Sequence, residues 1–248
     1  MRFLAAAQFL GHAFTEEYMK FYGLQKMTLL DFPGKVACTI FTGGCNFRCP
    51  FCHNAGLVTK IDKSLSYDER DIIEFLKERK GRLDGVCLTG GEPLLWRETA
   101  EFLQRVKQLG YLVKLDTNGS YPDRLKEVID SGAVDYVAMD IKNSKEKYAA
   151  TVGLEEFDLA PIERSMGILM DSGVDYEFRT TVVHPLHEVE DIEKIGRWIK
   201  GAKRYFLQNF KDSGNLISDG MSAKDYDTMQ QMLAVARKYI PDAELRGI

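Results

Sequence analysis

Cys45-Asn46-Phe47-Arg48-Cys49-Pro50-Phe51-Cys52 carries three thiols in a CxxxCxxC spacing, shortly after the apolar, β-branched run Val36 to Phe41. That run reads as a β-strand, so the thiols sit in the loop at a strand's C-terminal end. Thiolates hold iron–sulfur clusters, and a four-iron cluster normally takes four of them. If three is the whole set, one iron is left open to a substrate. Cys38 and Cys87 complete a count of five, and both lie inside apolar strands as small buried hydrophobes. An odd count with three cysteines inside eight residues suits a metal site in a reducing compartment better than a disulfide framework. The cytoplasm is the expected location.

The same stretch has other formal readings. Cys49-Pro50-Phe51-Cys52-His53 matches a dithiol motif and a haem-attachment motif. A dithiol leaves Cys45 without a role, and haem attachment requires export. Zinc with His53 as the fourth ligand is a third reading, but His53 adjoins Cys52 directly, which is poor spacing for closing a tetrahedron.

Outward from the thiols, short apolar runs alternate with longer helical patterns, the sign of repeated βα units around a parallel sheet. After Val36 to Phe41, strands are expected at Gly85 to Leu88, Leu112 to Leu115, Tyr136 to Met139, Tyr176 to Val183 and Tyr205 to Gln208, with a seventh at Ala243 to Arg246. The clearest helix is Tyr67 to Lys80, with Ser66 and Glu69 as a capping box and Gly81 at its stop. Others are expected at Thr99 to Leu109, Arg124 to Asp130, Pro161 to Asp171, Val189 to Lys200 and Ala223 to Tyr239.

A chain of 248 residues, 45% hydrophobic and 28% charged, with no Pro/Gly-rich linker, reads as one α/β domain over residues 19–248. Its net charge of −4, without a basic run, gives no electrostatic footprint for nucleic acid. Residues 1–18 read as an extension from an upstream start. Phe3 to Ala13 only faintly imitates a secretory signal, is interrupted by Gln8, and is too short to span a bilayer. No membrane partner is expected.

The unusual polar residues fall where strands end: Thr89-Gly90-Gly91-Glu92-Pro93 after the second, Asp116-Thr117-Asn118-Gly119 after the third, Asp140-Ile141-Lys142 after the fourth. In a parallel sheet or barrel those ends share one face, and that face carries the site. Arg179, between Phe178 and Thr180 in an otherwise apolar strand, must point somewhere polar. His184 and His187 read as loop residues without a catalytic part.

The cysteine spacing followed by Gly-Gly-Glu-Pro one βα unit later resembles the radical S-adenosylmethionine superfamily. The likeness is greatest to the small activating proteins of glycyl radical enzymes, in particular the activase of anaerobic ribonucleoside-triphosphate reductase. It runs through Gly23-Leu24-Gln25-Lys26, Leu29-Leu30-Asp31-Phe32-Pro33-Gly34-Lys35, the motif ending Cys52-His53-Asn54, and Tyr205-Phe206-Leu207-Gln208-Asn209-Phe210. The resemblance implies a partial (β/α)6 TIM-like barrel with a short C-terminal helix and an extra strand.

It further implies that Cys45, Cys49 and Cys52 hold one [4Fe-4S] cluster whose open iron chelates the amino and carboxylate groups of S-adenosylmethionine. Gly90 and Gly91 would admit the ligand against backbone, and Glu92 would face its ammonium. Asp116, Thr117 and Asn118 would contact the ligand, and Lys142 and Arg179 would donate to its carboxylate or ribose. Phe51 would pack near the adenine, and Phe41, Phe47 and Phe51 together would cover the cluster. Asp116 and Asp140, with the Ala138 carbonyl, would hold a monovalent cation. Gln208 and Asn209 stand where formate-lyase activases carry a histidine, a departure from that pattern.

By the same resemblance, a flavodoxin or ferredoxin-type donor reduces the cluster, and S-adenosylmethionine is cleaved to methionine and a 5′-deoxyadenosyl radical. That radical takes hydrogen from the α-carbon of a glycine in a partner enzyme, which is expected to be anaerobic ribonucleoside-triphosphate reductase or else of the pyruvate formate-lyase type. The alternatives are a radical enzyme acting on a small molecule and, outside the family, a cysteine-ligated zinc or electron-transfer module. No cysteine lies between His53 and Val86 or after Cys87, so a single cluster is expected.

Overall fold

A computed structural model describes residues 19–247, and the expectation for residues 1–18 lies outside them. The first described strand, β1 (Phe21–Thr28), has no counterpart among the expected strands. It pairs antiparallel with β2 (Ala37–Thr42), with register shifts between Phe21 and Gly23 and between Gln25 and Thr28. These irregularities at a sheet edge break the alternation that marks a strand in sequence.

From β2 onward the strands run parallel and in chain order: β3 (Gly85–Gly90), β4 (Leu112–Thr117), β5 (Tyr136–Asp140), β6 (Asp175–Val182), β7 (Tyr205–Asn209) and β8 (Ala243–Arg246). The strand expected at Ala243 to Arg246 is present with those bounds. Parallel neighbours need crossovers, and helices supply them. These are α1 (Ala55–Thr59) and α2 (Glu69–Glu78) after β2, α3 (Thr99–Gln108) after β3, and α4 (Pro122–Asp130) after β4. They continue with α5 (Tyr148–Thr151) and α6 (Ala160–Asp171) after β5, α7 (Val189–Trp198) after β6, and α8 (Tyr226–Arg237) after β7. The result is a partial TIM-like barrel with an additional strand at each edge.

Local chemistry shifts two helix starts from where the pattern puts them. In α2 the capping box is Asp68 with Asp71, two residues beyond Ser66 and Glu69. α8 begins at Tyr226 because the Asp225 carboxylate accepts from the Thr228 N–H at 2.9 Å.

The N-terminal end of the barrel is closed by the loop between β1 and β2. Phe32 packs with Ala37, Leu112 and Tyr136 in a small separate apolar cluster. A Cβ on Gly85 would lie 2.9 Å from the Phe32 ring, so glycine is what lets this plug seat. Asp31 beside it accepts from the Thr39 hydroxyl. The Leu29 to Lys35 motif thus builds the floor, at the opposite end from the cysteines.

Candidate active site

A cavity of about 220 Å³ opens at the C-terminal ends of the parallel strands. Cys45, Cys49 and Cys52 all line it. Their loop is tightly held: Cys52 N–H donates to Cys49 O at 3.0 Å, and Arg48 N–H to Val152 O at 2.8 Å. A Cβ on Gly153 would lie 2.2 Å from Arg48 O. Cys45 Sγ accepts from Phe47 N–H at 3.4 Å and from Asn118 Nδ2 at 3.7 Å.

Burial pushes the Cys45 thiol up to about 12 and the Cys49 thiol up to about 11, and raises Cys52 as well. Thiols so desolvated stay protonated until a metal's charge displaces the proton. Among the described residues no three His, Cys, Asp or Glu side chains stand close enough to hold a single metal ion. Three thiols spread around a shared cavity suit a polynuclear cluster. His53 also lines the cavity, but its ring stacks on Phe210 with centroids 5.3 Å apart, and Nε2 lies 2.7 Å from Lys211 O. A zinc site through His53 has no geometry here.

Gly90 and Gly91 line the cavity, yet what approaches them closely is protein backbone. A Cβ would lie 2.3 Å from Thr42 O at Gly90 and 1.9 Å from Gly44 O at Gly91. Gly91 N–H donates to Thr42 O at 2.9 Å and Glu92 N–H to Gly44 O at 2.8 Å, so the glycines dock β3 onto the cysteine loop.

The fully buried Glu92 carboxylate accepts from Leu94 N–H at 3.0 Å, the Thr117 hydroxyl at 2.7 Å and Asn118 N–H at 2.7 Å. Burial outweighs those three donors and pushes its carboxyl up to about 7. Glu92 therefore ties the end of β3 to the end of β4 and fixes the Thr117–Asn118 turn. Asn118 reaches on to Asn46 Oδ1 at 3.0 Å, which links the turn to the cysteine loop.

The cavity floor is a chain of charges. Asp116 pairs with Lys114, and its other oxygen lies 3.1 Å from Arg179 Nη1. Arg179 Nε lies 3.0 Å from Asp140, whose other oxygen lies 2.9 Å from Lys142 Nζ. Burial alone would raise Asp140, but Arg179 and Lys142 hold it down to about 2. Asp116 is likewise held below its ordinary value. The monovalent cation expected at Asp116 and Asp140 meets carboxylate oxygens that already face protein cations.

Of the other expected residues, Phe47 and Phe51 line the cavity, whereas Phe41 packs over Gly23. Gln208 lines it too, while Asn209 brackets the backbone of Lys224 with bonds of 2.9 and 3.1 Å. His187 is fully buried: its Nδ1 accepts from Val183 N–H, and Nε2 donates to Lys142 O at 2.8 Å. It also meets Phe51 edge-on, so it positions two lining residues from behind. Thr89 and Asn54, quoted above within their motifs but given no role, also line the cavity, and sequence reasoning missed Val58 and Thr181 in the lining and Lys114 beneath it. Only Lys114 left a signal, a charge in the middle of the apolar strand Leu112 to Leu115.

The model of the radical SAM superfamily matches residues 39–199. A candidate glycyl-radical enzyme activating enzyme of Methanocaldococcus jannaschii is 31% identical over 91% of this chain and 95% of its own length. The 7-carboxy-7-deazaguanine synthase of Methanopyrus kandleri is 26% identical over 73% of this chain and 86% of its own. Among solved structures, Streptococcus suis SuiB with S-adenosylmethionine bound aligns with a TM-score of 0.64 at 14% identity, over 82% of this chain. The chain spans about half of SuiB, 48%. Methylornithine synthase aligns with a TM-score of 0.63 at 16% identity, over 84% of this chain and 63% of its own. These structural likenesses establish the partial-barrel fold. On the family match and the full-length relative, the chain belongs to the radical S-adenosylmethionine superfamily, whose cofactors are a [4Fe-4S] cluster and S-adenosylmethionine.

Proposed function

We propose that this chain is an oxidoreductase that activates a glycyl radical enzyme, with anaerobic ribonucleoside-triphosphate reductase the favoured partner and the pyruvate formate-lyase type the next. The observation that carries the reading is the candidate activase relative, which matches along nearly the whole length of both chains. The absence of any cysteine after Cys87 agrees with it, since the chain has no further thiols for auxiliary clusters.

Cys45, Cys49 and Cys52 would hold the cluster, which supplies the electron that cleaves S-adenosylmethionine into methionine and a 5′-deoxyadenosyl radical. The chain's own residues then have to position and to exclude water. Lys142 and Arg179, both fixed by Asp140, present cationic donors for the ligand's carboxylate or ribose. Thr117 and Asn118, held by Glu92, present polar groups beside the cysteine loop. Gly90 and Gly91 keep that loop and the end of β3 in contact, and Glu92, which lines the cavity, would face the ligand's ammonium. Phe47, Phe51 and Val58 form the apolar wall that keeps competing hydrogen donors out. Low-potential electrons from a flavodoxin or ferredoxin-type donor, in the cytoplasm, complete the requirement.

The deazaguanine synthase relative favours a second reading, a small-molecule radical enzyme. The two are separated by mixing the anaerobically reconstituted protein, reductant and S-adenosylmethionine with candidate glycyl radical enzymes and recording electron paramagnetic resonance spectra. A glycyl radical on the partner is expected. Cleavage of S-adenosylmethionine with no partner radical, but with turnover of a small molecule, overturns the proposal.

A further inference from the structure

We propose that Lys114 is a built-in counter-cation of the active site and makes this protein independent of monovalent metal ions. The resemblance puts such an ion between Asp116 and Asp140, and the residues here do not fit one. All four carboxylate oxygens already face a protein cation. Asp116 Oδ1 meets the Lys114 ammonium, and Oδ2 lies 3.1 Å from Arg179 Nη1. Asp140 Oδ1 lies 3.0 Å from Arg179 Nε, and Oδ2 lies 2.9 Å from Lys142 Nζ.

Lys114 sits in the middle of β4, one of the most buried positions in the chain at 1% exposed. Its ammonium meets the Asp116 carboxylate and Cys87 Sγ, the latter at 3.8 Å. A buried ammonium is retained only where it is paired, and this one is paired to the site's own carboxylate. The charge balance points the same way. Lys114, Arg179 and Lys142 against Asp116 and Asp140 leave these five groups one positive charge in excess, so neither aspartate is left uncompensated to hold a further cation. Without Lys114 the group would be neutral and Asp116 would have an open oxygen. A tethered ammonium supplies that charge at every salt concentration, whereas a dissolved ion must be bound from solution.

Lys114 is thus a positioning residue. It acts through Asp116 on Arg179, and through Arg179 and Asp140 on Lys142, which line the cavity. The inference does not depend on which substrate receives the radical.

The test uses the full chain with its cluster reconstituted. S-adenosylmethionine affinity and the thermal midpoint are measured in potassium, sodium and choline chloride at equal ionic strength. For the wild type all three salts are expected to give the same values. A saturable gain of about tenfold in affinity with potassium or sodium over choline overturns the proposal. Lys114→Ala vacates the ammonium's place and is expected to bind weakly in choline and to recover in potassium or sodium. Lys114→Arg keeps the charge and is expected to stay salt-independent. A folded Lys114→Ala protein equally impaired in all three salts overturns the assignment, because a purely structural lysine would behave so. If that variant does not fold, the wild-type comparison decides alone.

Discussion

Gly91 sets how closely the end of β3 can lie against the cysteine loop. A Cβ there would fall 1.9 Å from Gly44 O, and backbone cannot yield as a flexible side chain can. Gly91→Ala is therefore expected to destabilise the protein by about 1–3 kcal/mol and to reduce iron uptake, read by thermal unfolding and iron analysis. Replacing Cys45, Cys49 or Cys52 singly by Ala is expected to take iron from about four per chain to near none and to abolish cleavage of S-adenosylmethionine. His53→Ala, by contrast, is expected to keep its iron, because the ring is engaged with Phe210 and Lys211 and not with the thiols. Equal iron loss in His53→Ala would revive a Cys₃His site.

At the scale of elements, β8 is held to β6 by a half-buried charge pair as well as by its ladder to β7. Arg246 places two nitrogens 2.6 and 2.9 Å from the two oxygens of the fully buried Glu177, which also accepts from the Tyr136 hydroxyl at 2.6 Å. Burial would raise the Glu177 carboxyl, but Arg246 and the neighbouring Arg179 and Tyr136 hold it below its ordinary value. A carboxyl depressed in the folded state adds stability above its unfolded value, and that stability is lost as pH falls through the folded one. Arg246→Ala leaves Glu177 without its guanidinium and is expected to cost about 3 kcal/mol at neutral pH. The cost is expected to shrink as pH falls below the ordinary glutamate range and through the depressed folded value, where a protonated Glu177 no longer needs the cation. Denaturant unfolding at several pH values measures both.

Which elements were legible follows from their environments. β2 to β7 are enclosed by helices or by neighbouring strands and read as apolar runs, which is why they stand out, whereas the edge strand β8, Ala243–Arg246, alternates apolar and charged residues. β1 is an edge strand with two register shifts, so Phe21 to Thr28 carries no clean alternation. α1 and α5, with five and four residues, are too short for a helical period to show.

For the whole molecule, the closed floor at Phe32 and the cavity at the opposite end make one entrance the working face. Thr181 and Gln208 stand on that cavity's wall, away from the cysteine loop in sequence. Thr181→Trp is expected to fill space the ligand needs, so iron content stays unchanged while S-adenosylmethionine affinity falls by at least about tenfold, measured by equilibrium binding. A full-affinity Thr181→Trp protein would place the ligand elsewhere. Among the described residues no helix is long and apolar enough to cross a membrane.

The sequence by itself determined the cysteine spacing, the βα alternation and the collection of polar residues at strand ends, because each of these is encoded in residues close along the chain. Arg179 was legible as a charge in an apolar strand, and the same reasoning applied to Leu112 to Leu115 exposes Lys114. What only the tertiary structure decided is which charges meet. Arg179 reaches Asp140 and Asp116 across 39 and 63 positions of chain, and it does so because the strand registers set Asp140 beside Arg179 and Asp116 beside Ala138. Register follows from the packing of the whole sheet, so no local pattern could say that Asp116 and Asp140 would be held by protein cations.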